Sequence, residues 1–242
     1  MKGVILAAGI ASRLRPLTET TPKCLLRVGD PTILGRTLQN LRQNDIREIV
    51  MVTGYLEEQI HAFVRGKFPN LHVQFLTNPL YDSTNNIYSL WLARDYVLND
   101  DMLLLDSDII FDQSIITLLV ESGHHNCLAM KSGIPLGEEE IKVLTDKTGR
   151  ILEISKVVDP KKAAGESIGI EKFSAEYVST LFGILKEKMI VRKEANHFYE
   201  AAFQESIAKG STIYAVDVQD RGCMEIDTAE DIHRAAALFA GS

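Results

Sequence analysis

Cysteine is scarce. The 242 residues hold three, Cys24, Cys127 and Cys223, odd in number and widely spaced. This excludes a disulfide framework and a zinc site with paired ligand spacing, and it predicts reduced thiols in a cytoplasmic protein. Long hydrophobic runs are missing too. No stretch reaches the ~18 apolar residues of a membrane span. Met1-Lys2 leads straight into a strand pattern rather than a signal peptide, so no membrane association is expected. Positive charge is in deficit, with 26 Lys and Arg against 33 Asp and Glu and a net charge of −7. That balance argues against a nucleic-acid partner. There is no linker rich in Pro, Gly or Ser, no internal repeat, and no hexapeptide array after residue 230. No heptad or exposed apolar stripe stands out, so the oligomeric state is left open.

What is present is an alternation of strand and helix patterns. Apolar strands are expected at Val4 to Ala7, Glu48 to Thr53, Val73 to Leu76 and Met102 to Leu105. Helical spacing fills the gaps, at Ile33 to Asn44, Glu57 to Phe68, Asn86 to Val97 and Ile115 to Glu121. Such βαβ order predicts an α/β fold with a mainly parallel sheet flanked by helices. After about residue 125 the pattern turns β-rich: Cys127 to Ser132, Lys142 to Thr145, Ile151 to Val157 and Ser167 to Phe173. Helices are expected at Ser174 to Phe182, around Tyr199 to Lys209, and at Ala229 to Phe239.

Residues 3 to 26, GVILAAGIASRLRPLTETTPKCLL, carry the strongest signal. A buried strand ends in the small residues Ala7, Ala8 and Gly9, and the cations Arg13, Arg15 and Lys23 follow. Small residues let backbone N–H groups approach an anion, and the cations neutralise it, which suits a polyphosphate. The loop lacks the Gly-Lys-Ser/Thr of a P-loop and the glycines of a dinucleotide fingerprint. In an α/β sheet ligands lie at the carboxyl ends of strands. Asp106-Ser107-Asp108 ends another strand, so the two segments can share one site. A pair of neighbouring carboxylates suits Mg²⁺. A second acidic cluster, Glu225-Ile226-Asp227-Thr228, precedes the last helix, where Asp227 is expected as N-cap and Glu230 as its capping-box partner.

The order Gly-x-x-x-x-Arg-x-x-Pro then Pro-Lys, straight after a LAAG strand, resembles the signature of the nucleotidyltransferases that make sugar and polyol nucleotides. The run NNIYSLWLA, Asn85 to Ala93, is similar to a segment of the bacterial choline-phosphate cytidylyltransferases. The resemblance implies a Rossmann-like nucleotide-diphospho-sugar transferase fold in one domain, residues 1–242. Residues 1–125 would form the nucleotide half and 126–242 a β-rich acceptor lobe. It implies transfer of a nucleoside monophosphate, most simply CMP from CTP, to a small phosphorylated or phosphonylated alcohol. Phosphocholine, 2-aminoethylphosphonate and inositol 1-phosphate are the leading acceptors, and pyrophosphate leaves. Alternatives are a sugar 1-phosphate enzyme using UTP, dTTP or GTP, and a regulatory subunit that only binds nucleotide.

The resemblance also assigns residues. Arg13 and Lys23 would be catalytic. Ala7, Ala8, Gly9, Ser12, Arg13, Asn78, Tyr81, Asn85, Asn86, Ser89 and Asp106 would hold the nucleotide. Asp108 and Asp227 would hold Mg²⁺, with Asp106 a weaker candidate. Lys156, Tyr199 and Glu200 would face the acceptor. Ala11 stands where many relatives carry glycine. With a single tryptophan, Trp91, an aromatic cage for a quaternary ammonium is thin. Glu166 and Glu171, flanking Gly169, are further acceptor-side candidates but read first as solvated surface positions, and His61, His124 and His125 read as surface residues.

Overall fold

The computed structural model describes residues 1–239. The last three residues of the expected 1–242 domain therefore lie outside the described chain. In chain order the strands are β1 Lys2–Ala7, β2 Glu48–Thr53, β3 His72–Thr77, β4 Met102–Asp106, β5 Ile109–Phe111, β6 Cys127–Lys131, β7 Lys142–Thr145, β8 Ile151–Ser155, β9 Gly165–Phe173, β10 Tyr214–Asp217 and β11 Cys223–Glu225. The α-helices are α1 Ile33–Gln43, α2 Glu57–Lys67, α3 Asn86–Leu92, α4 Arg94–Val97, α5 Ser114–Glu121, α6 Ala175–Lys186, α7 Glu200–Ala208 and α8 Ala229–Leu238.

The main sheet runs β10-β6-β9-β4-β1-β2-β3, with β7 paired to β9 and β8 to β7. β1 is central and parallel to both β2 and β4. β9 runs antiparallel between β4 and β6, so it stitches the later half of the chain onto the first. In β1, Val4 and Leu6 enter one core while Ile5 and Ala7 enter the other. Alternation that is apolar on both faces is what a strand covered by helices on each side requires. The first core is closed by α3, α6 and α7 residues such as Leu90, Leu181 and Phe203. The second is closed by α1, α2 and α5 through Leu38, Val64 and Ile116.

A third, smaller core binds the two ends of the chain. Leu14, Leu26, Val28 and Ile33 pack against Ile110, Ile226 and Ala235. Beside it, β5 and β11 form a separate antiparallel ribbon that pairs Ile109 with Glu225. This ribbon and β10 are absent from the sequence expectations, because three- and four-residue strands carry too little alternation to register. The expected Asn86 to Val97 helix is two helices, α3 and α4, meeting at Ala93. The helix expected at Ser174 to Phe182 runs on to Lys186 and into a π-turn over Glu187–Arg192.

Candidate active site

One cleft of about 1030 Å³ opens at the carboxyl ends of β1 and β4. Ala7, Ala8, Gly9, Arg13, Lys23, Asn78, Tyr81, Asn85, Asn86, Ser89, Asp106, Asp108, Lys156, Glu200 and Asp227 all line it. Two expected site residues do not. Ser12 is exposed at the start of a short 3-10 turn. Tyr199 is fully buried behind the wall.

The loop after β1 is tightly held. The Thr18 hydroxyl donates to the Ala11 carbonyl at 2.8 Å, and Tyr55 N–H donates to the Ala8 carbonyl at 3.1 Å. Gly54 makes that approach possible, since a Cβ there would lie 2.7 Å from Tyr81 Cβ and 2.9 Å from the Ala8 carbonyl. Ala11 adopts the left-handed region at φ 52°, ψ 52°. A glycine accepts that conformation freely, whereas alanine pays for it.

Lys23 stands at the centre of the charged end. Its ammonium donates to Asp108 Oδ2 at 3.0 Å and to Asp227 Oδ1 at 2.8 Å. Arg13 reaches the other Asp227 oxygen at 2.6 Å. Burial works against the Lys23 charge, but Asp108 and Asp227 outweigh it and raise its pKa. Burial likewise pushes the Asp227 carboxyl up, and Lys23 and Arg13 prevail to hold it below its ordinary value.

Asp227 is free for this because it is not the cap of α8. Thr228 is the N-cap, and Asp231 completes a reciprocal capping box with it. The expected pair Asp227 and Glu230 is displaced by one position, because threonine followed by aspartate three residues later satisfies both orphan N–H groups. The backbone of the same segment is anchored by Ile226 N–H on the Asp108 carbonyl at 3.0 Å.

Asp108, Glu225 and Asp227 offer carboxylate oxygens that all lie within 4.8 Å of one another. Three converging carboxylates are the hard oxygen donor set that fits Mg²⁺, once Lys23 and Arg13 yield their share of those oxygens. Glu225 was legible as a neighbour of Asp227 in the acidic cluster, and its i, i+2 spacing was the available signal. Withdrawal from water, then the charges of Asp108 and Asp227, push the Glu225 carboxyl up to about 8. Asp106 faces elsewhere: its Oδ2 accepts from the Tyr199 hydroxyl at 3.0 Å.

Tyr199 also lies 3.2 Å from Glu171 Oε1. One phenolic proton serves one acceptor, so the second contact needs a proton on a carboxyl. Burial foremost pushes both Asp106 and Glu171 well above the ordinary carboxylate range. Glu171 is fully buried and Glu166 half-buried. The solvated reading of Glu171 is therefore corrected, since β9 lies inside the sheet between β6 and β4, while Glu166 is half-buried on the cleft wall. His61 and His124 are also more than surface residues, since His61 contacts Phe75 and Thr53 and His124 stacks on Tyr214.

The far wall is built by hydrogen bonds between loops. Asn78 donates to Ser89 Oγ at 3.1 Å and to Thr84 Oγ1 at 3.2 Å, and accepts from Leu80 N–H. Asn85 caps α3, and Asn86 Oδ1 accepts from Tyr199 N–H at 2.9 Å. The helix start thus joins the two halves of the chain. Lys156 pairs with Glu139 at 3.0 Å and sits 4.7 Å over the Phe198 ring.

This geometry combines a small-residue loop after the first strand, a lysine between two acids, and a third acid beside them. Residues 2–131 match the nucleotidyl transferase family. The chain belongs to that family. It is a nucleotidyltransferase with the fold of its relatives. It is 27% identical over 251 residues to the CTP:phosphoglutamine cytidylyltransferase of Campylobacter jejuni, covering 96% of this chain and 98% of that one. It is 25% identical over 250 residues to the CMP-5'-(3-aminopropyl)phosphonate synthase of Streptomyces rubellomurinus, and there it spans 39% of the longer protein. The solved structure of the CTP:phosphocholine cytidylyltransferase of Streptococcus pneumoniae superposes with a TM-score of 0.80 over 98% of each chain, at 22% identity. No helix among the described residues is long and apolar enough to cross a membrane.

Proposed function

We propose that this nucleotidyltransferase moves CMP from CTP to a small phosphorylated or phosphonylated alcohol such as phosphocholine, 2-aminoethylphosphonate or inositol 1-phosphate. The observation that carries the reading is the Lys23 ammonium, bonded to Asp108 and Asp227 in a cleft that begins at the loop after β1. The relatives, a CTP:phosphoglutamine cytidylyltransferase and a CMP-5'-(3-aminopropyl)phosphonate synthase, support CTP as donor. Three free cysteines fit a reducing cytoplasm.

An oxygen of the acceptor phosphate attacks the α-phosphorus, the new P–O bond forms in line, and the bond to the β-phosphate oxygen breaks. No protein nucleophile or base is required, because a phosphate or phosphonate is largely ionised at neutral pH. The work left to the chain is positioning and charge neutralisation. Ala7, Ala8 and Gly9 lie against the nucleoside, and Arg13 takes the β/γ end. Lys23 exchanges its carboxylate partners for phosphate oxygens as charge builds on them. Asp108, Asp227 and Glu225 would hold Mg²⁺, which when bound supplies Lewis-acid polarisation and neutralisation at the phosphates. Asn78, Tyr81, Asn85, Asn86 and Ser89 shape the base end. Lys156 leaves Glu139 to bind the acceptor phosphate.

The test is pyrophosphate release with Mg²⁺ across the common nucleoside triphosphates, each against phosphocholine, 2-aminoethylphosphonate, inositol 1-phosphate and hexose 1-phosphates. Release with CTP and one of the first three is expected. Release only with UTP, dTTP or GTP and a hexose 1-phosphate would replace this reading with sugar nucleotide synthesis.

A further inference from the structure

An outer strand of a sheet presents a row of unpaired N–H and C=O groups, and native folds guard such rows with cover, charge, proline or bulges. Two outer strands of the main sheet are guarded. β10 has the turn before β8 along its free side: Tyr214 bridges to Arg150, and Ala215 N–H donates to the Gly149 carbonyl at 2.9 Å. β8 lies against α7, where the Gln204 side chain accepts from Ile154 N–H at 2.8 Å.

β3 is the exception among the described residues. It ends the sheet beyond β2, and its sequence HVQFLT holds no proline, no lysine and no acid. It pairs with β2 in unbroken register. His72 N–H donates to the Arg47 carbonyl at 2.9 Å, and Asn78 N–H to the Thr53 carbonyl at 2.7 Å. Alternate residues of a strand turn their backbone groups to the same neighbour, so His72, Gln74 and Leu76 commit theirs to β2. The backbone groups of Val73, Phe75 and Thr77 point away from the sheet. Among the described residues only one of these is covered, the Phe75 carbonyl, which accepts from the Gln74 side-chain amide at 3.0 Å.

α2 flanks this edge. His61 sits 4.1 Å from the Phe75 ring, and the Arg65 guanidinium lies 5.5 Å above it. Those two residues mark the side of α2 that faces the edge. Glu58 stands one turn before His61 on that same side. Glu58 and Arg65 are both exposed, and neither has an ion-pair partner among the described residues. Between the end of α2 and β3 lies a hollow of about 340 Å³, lined by Val64, Phe68, Leu71, Val73 and Phe75.

We infer that the free edge of β3 receives β3 of a second copy of this chain, antiparallel about a two-fold axis at Phe75. A two-fold makes one patch complement itself. Val73 then opposes Thr77 of the second copy, Phe75 opposes its own counterpart, and each pair exchanges both backbone hydrogen bonds. The facing Phe75 rings add a cross-strand aromatic pair. Gln74 yields the Phe75 carbonyl to the incoming N–H, and Thr77 of the second copy closes the mouth of the hollow. The same axis sets α2 antiparallel to its counterpart with His61 near the centre. Glu58 of each copy therefore meets Arg65 of the other, so the charges left unpaired on α2 neutralise one another. A parallel approach would set Glu58 on Glu58 and Arg65 on Arg65. A lone peptide strand without α2 would leave both charges unpaired.

The experiment is sedimentation equilibrium of the full chain over a roughly hundredfold range of concentration. The mass should rise with concentration from 27.0 kDa towards twice that value. Arg65→Glu should weaken association at least about tenfold, and adding Glu58→Arg to it should restore association to within about threefold of the parent. Val73→Pro removes an outward N–H and no bond to β2, and should abolish the dimer. Amide exchange read by NMR gives a second measure. The Val73, Phe75 and Thr77 amides should slow as concentration rises, whereas those of His72, Gln74 and Leu76 are slow throughout. Far-UV circular dichroism checks that each variant folds. If Val73→Pro does not, the exposed Arg65 exchange and the amide pattern decide. A single-chain mass at every concentration would overturn the proposal. So would a dimer indifferent to Arg65→Glu, or one whose Val73, Phe75 and Thr77 amides exchange as fast as in the monomer.

Discussion

Replacing Lys23 with methionine should move two quantities in opposite directions. The side chain is 12% exposed, and its ammonium makes two short bonds, 3.0 Å to Asp108 and 2.8 Å to Asp227. Methionine keeps length and packing and removes the charge. Each charge-assisted bond is worth about 1.5–3 kcal/mol when formed between desolvated groups. The two aspartates are roughly a quarter exposed, so the pair together merits only about 2 kcal/mol. A divalent cation entering among Asp108, Glu225 and Asp227 competes with that ammonium. Without it, affinity for Mn²⁺ or Mg²⁺ should tighten by about 2 kcal/mol, or roughly 30-fold. Turnover should drop by about 10²–10³, the loss usual for one donor aimed at developing charge. Titration of the variant with Mn²⁺, read by calorimetry, gives the first number, and pyrophosphate release at saturating substrates gives the second. Unchanged or weaker metal binding would refute the competition between lysine and cation. Turnover within threefold of wild type would remove Lys23 from the chemistry.

Three further outcomes follow from local geometry. Ala11→Gly relieves a left-handed alanine worth about 1–2 kcal/mol, offset by about 0.4–1 kcal/mol of added freedom in the unfolded chain. Calorimetry should show a higher Tm, by about 1–3 °C, and a lower one would refute the strain. Gly169→Ala puts a Cβ 2.6 Å from Asp106 Oδ2 and 2.8 Å from Ile109 Cδ1, at φ +68°. It should cost about 2–4 kcal/mol in urea unfolding, and a neutral result would mean β9 can retreat from β4. Glu200 titrates at about 7 in the fold against an ordinary value of 4.5. The folded form keeps a proton that the unfolded chain has lost between those values. Stability should therefore fall as pH rises through that window, by about 3 kcal/mol from this group when complete. Urea melts at a series of pH values should show the decline, and Glu200→Gln should flatten it; an unchanged slope in the variant would refute the assignment.

The first half of the fold was legible because its strands are apolar on both faces and its helices show one clear stripe. Glu48–Thr53 is found at the expected limits. The site's cations and aspartates were legible because they lie in ordered motifs at strand ends. The far wall of the cleft was legible in part: Lys156 and Glu200 line it as expected, but the enclosure behind them was not. Glu171 sits in a strand whose neighbours Ile170 and Phe173 are apolar, and nothing in the spacing says that its carboxyl is enclosed without a full set of partners. The α8 cap slipped by one residue because Asp227 and Thr228 are both good caps, and only Asp231 decides between them. Glu225 was visible in the acidic cluster, but its three-residue strand was too short to show that its carboxylate converges on Asp108.

The Lys23–Asp227 bond joins residues 204 positions apart. The small third core is likewise shared, with Leu14, Leu26, Val28 and Ile33 from one end of the chain, Ile226, Ala235 and Phe239 from the other, and Ile110 between them. Neither half of that core can bury its apolar surface alone. The β1 strand and its loop can therefore exist long before Lys23 and Asp227 meet. During synthesis the sheet has β1, β2 and β4 available while the segment that carries Asp227 is still unmade. Long-range contacts of this kind are the slow ones in folding. Competence should thus arrive in a single late event, when the final ribbon strand docks and draws the first loop down onto it.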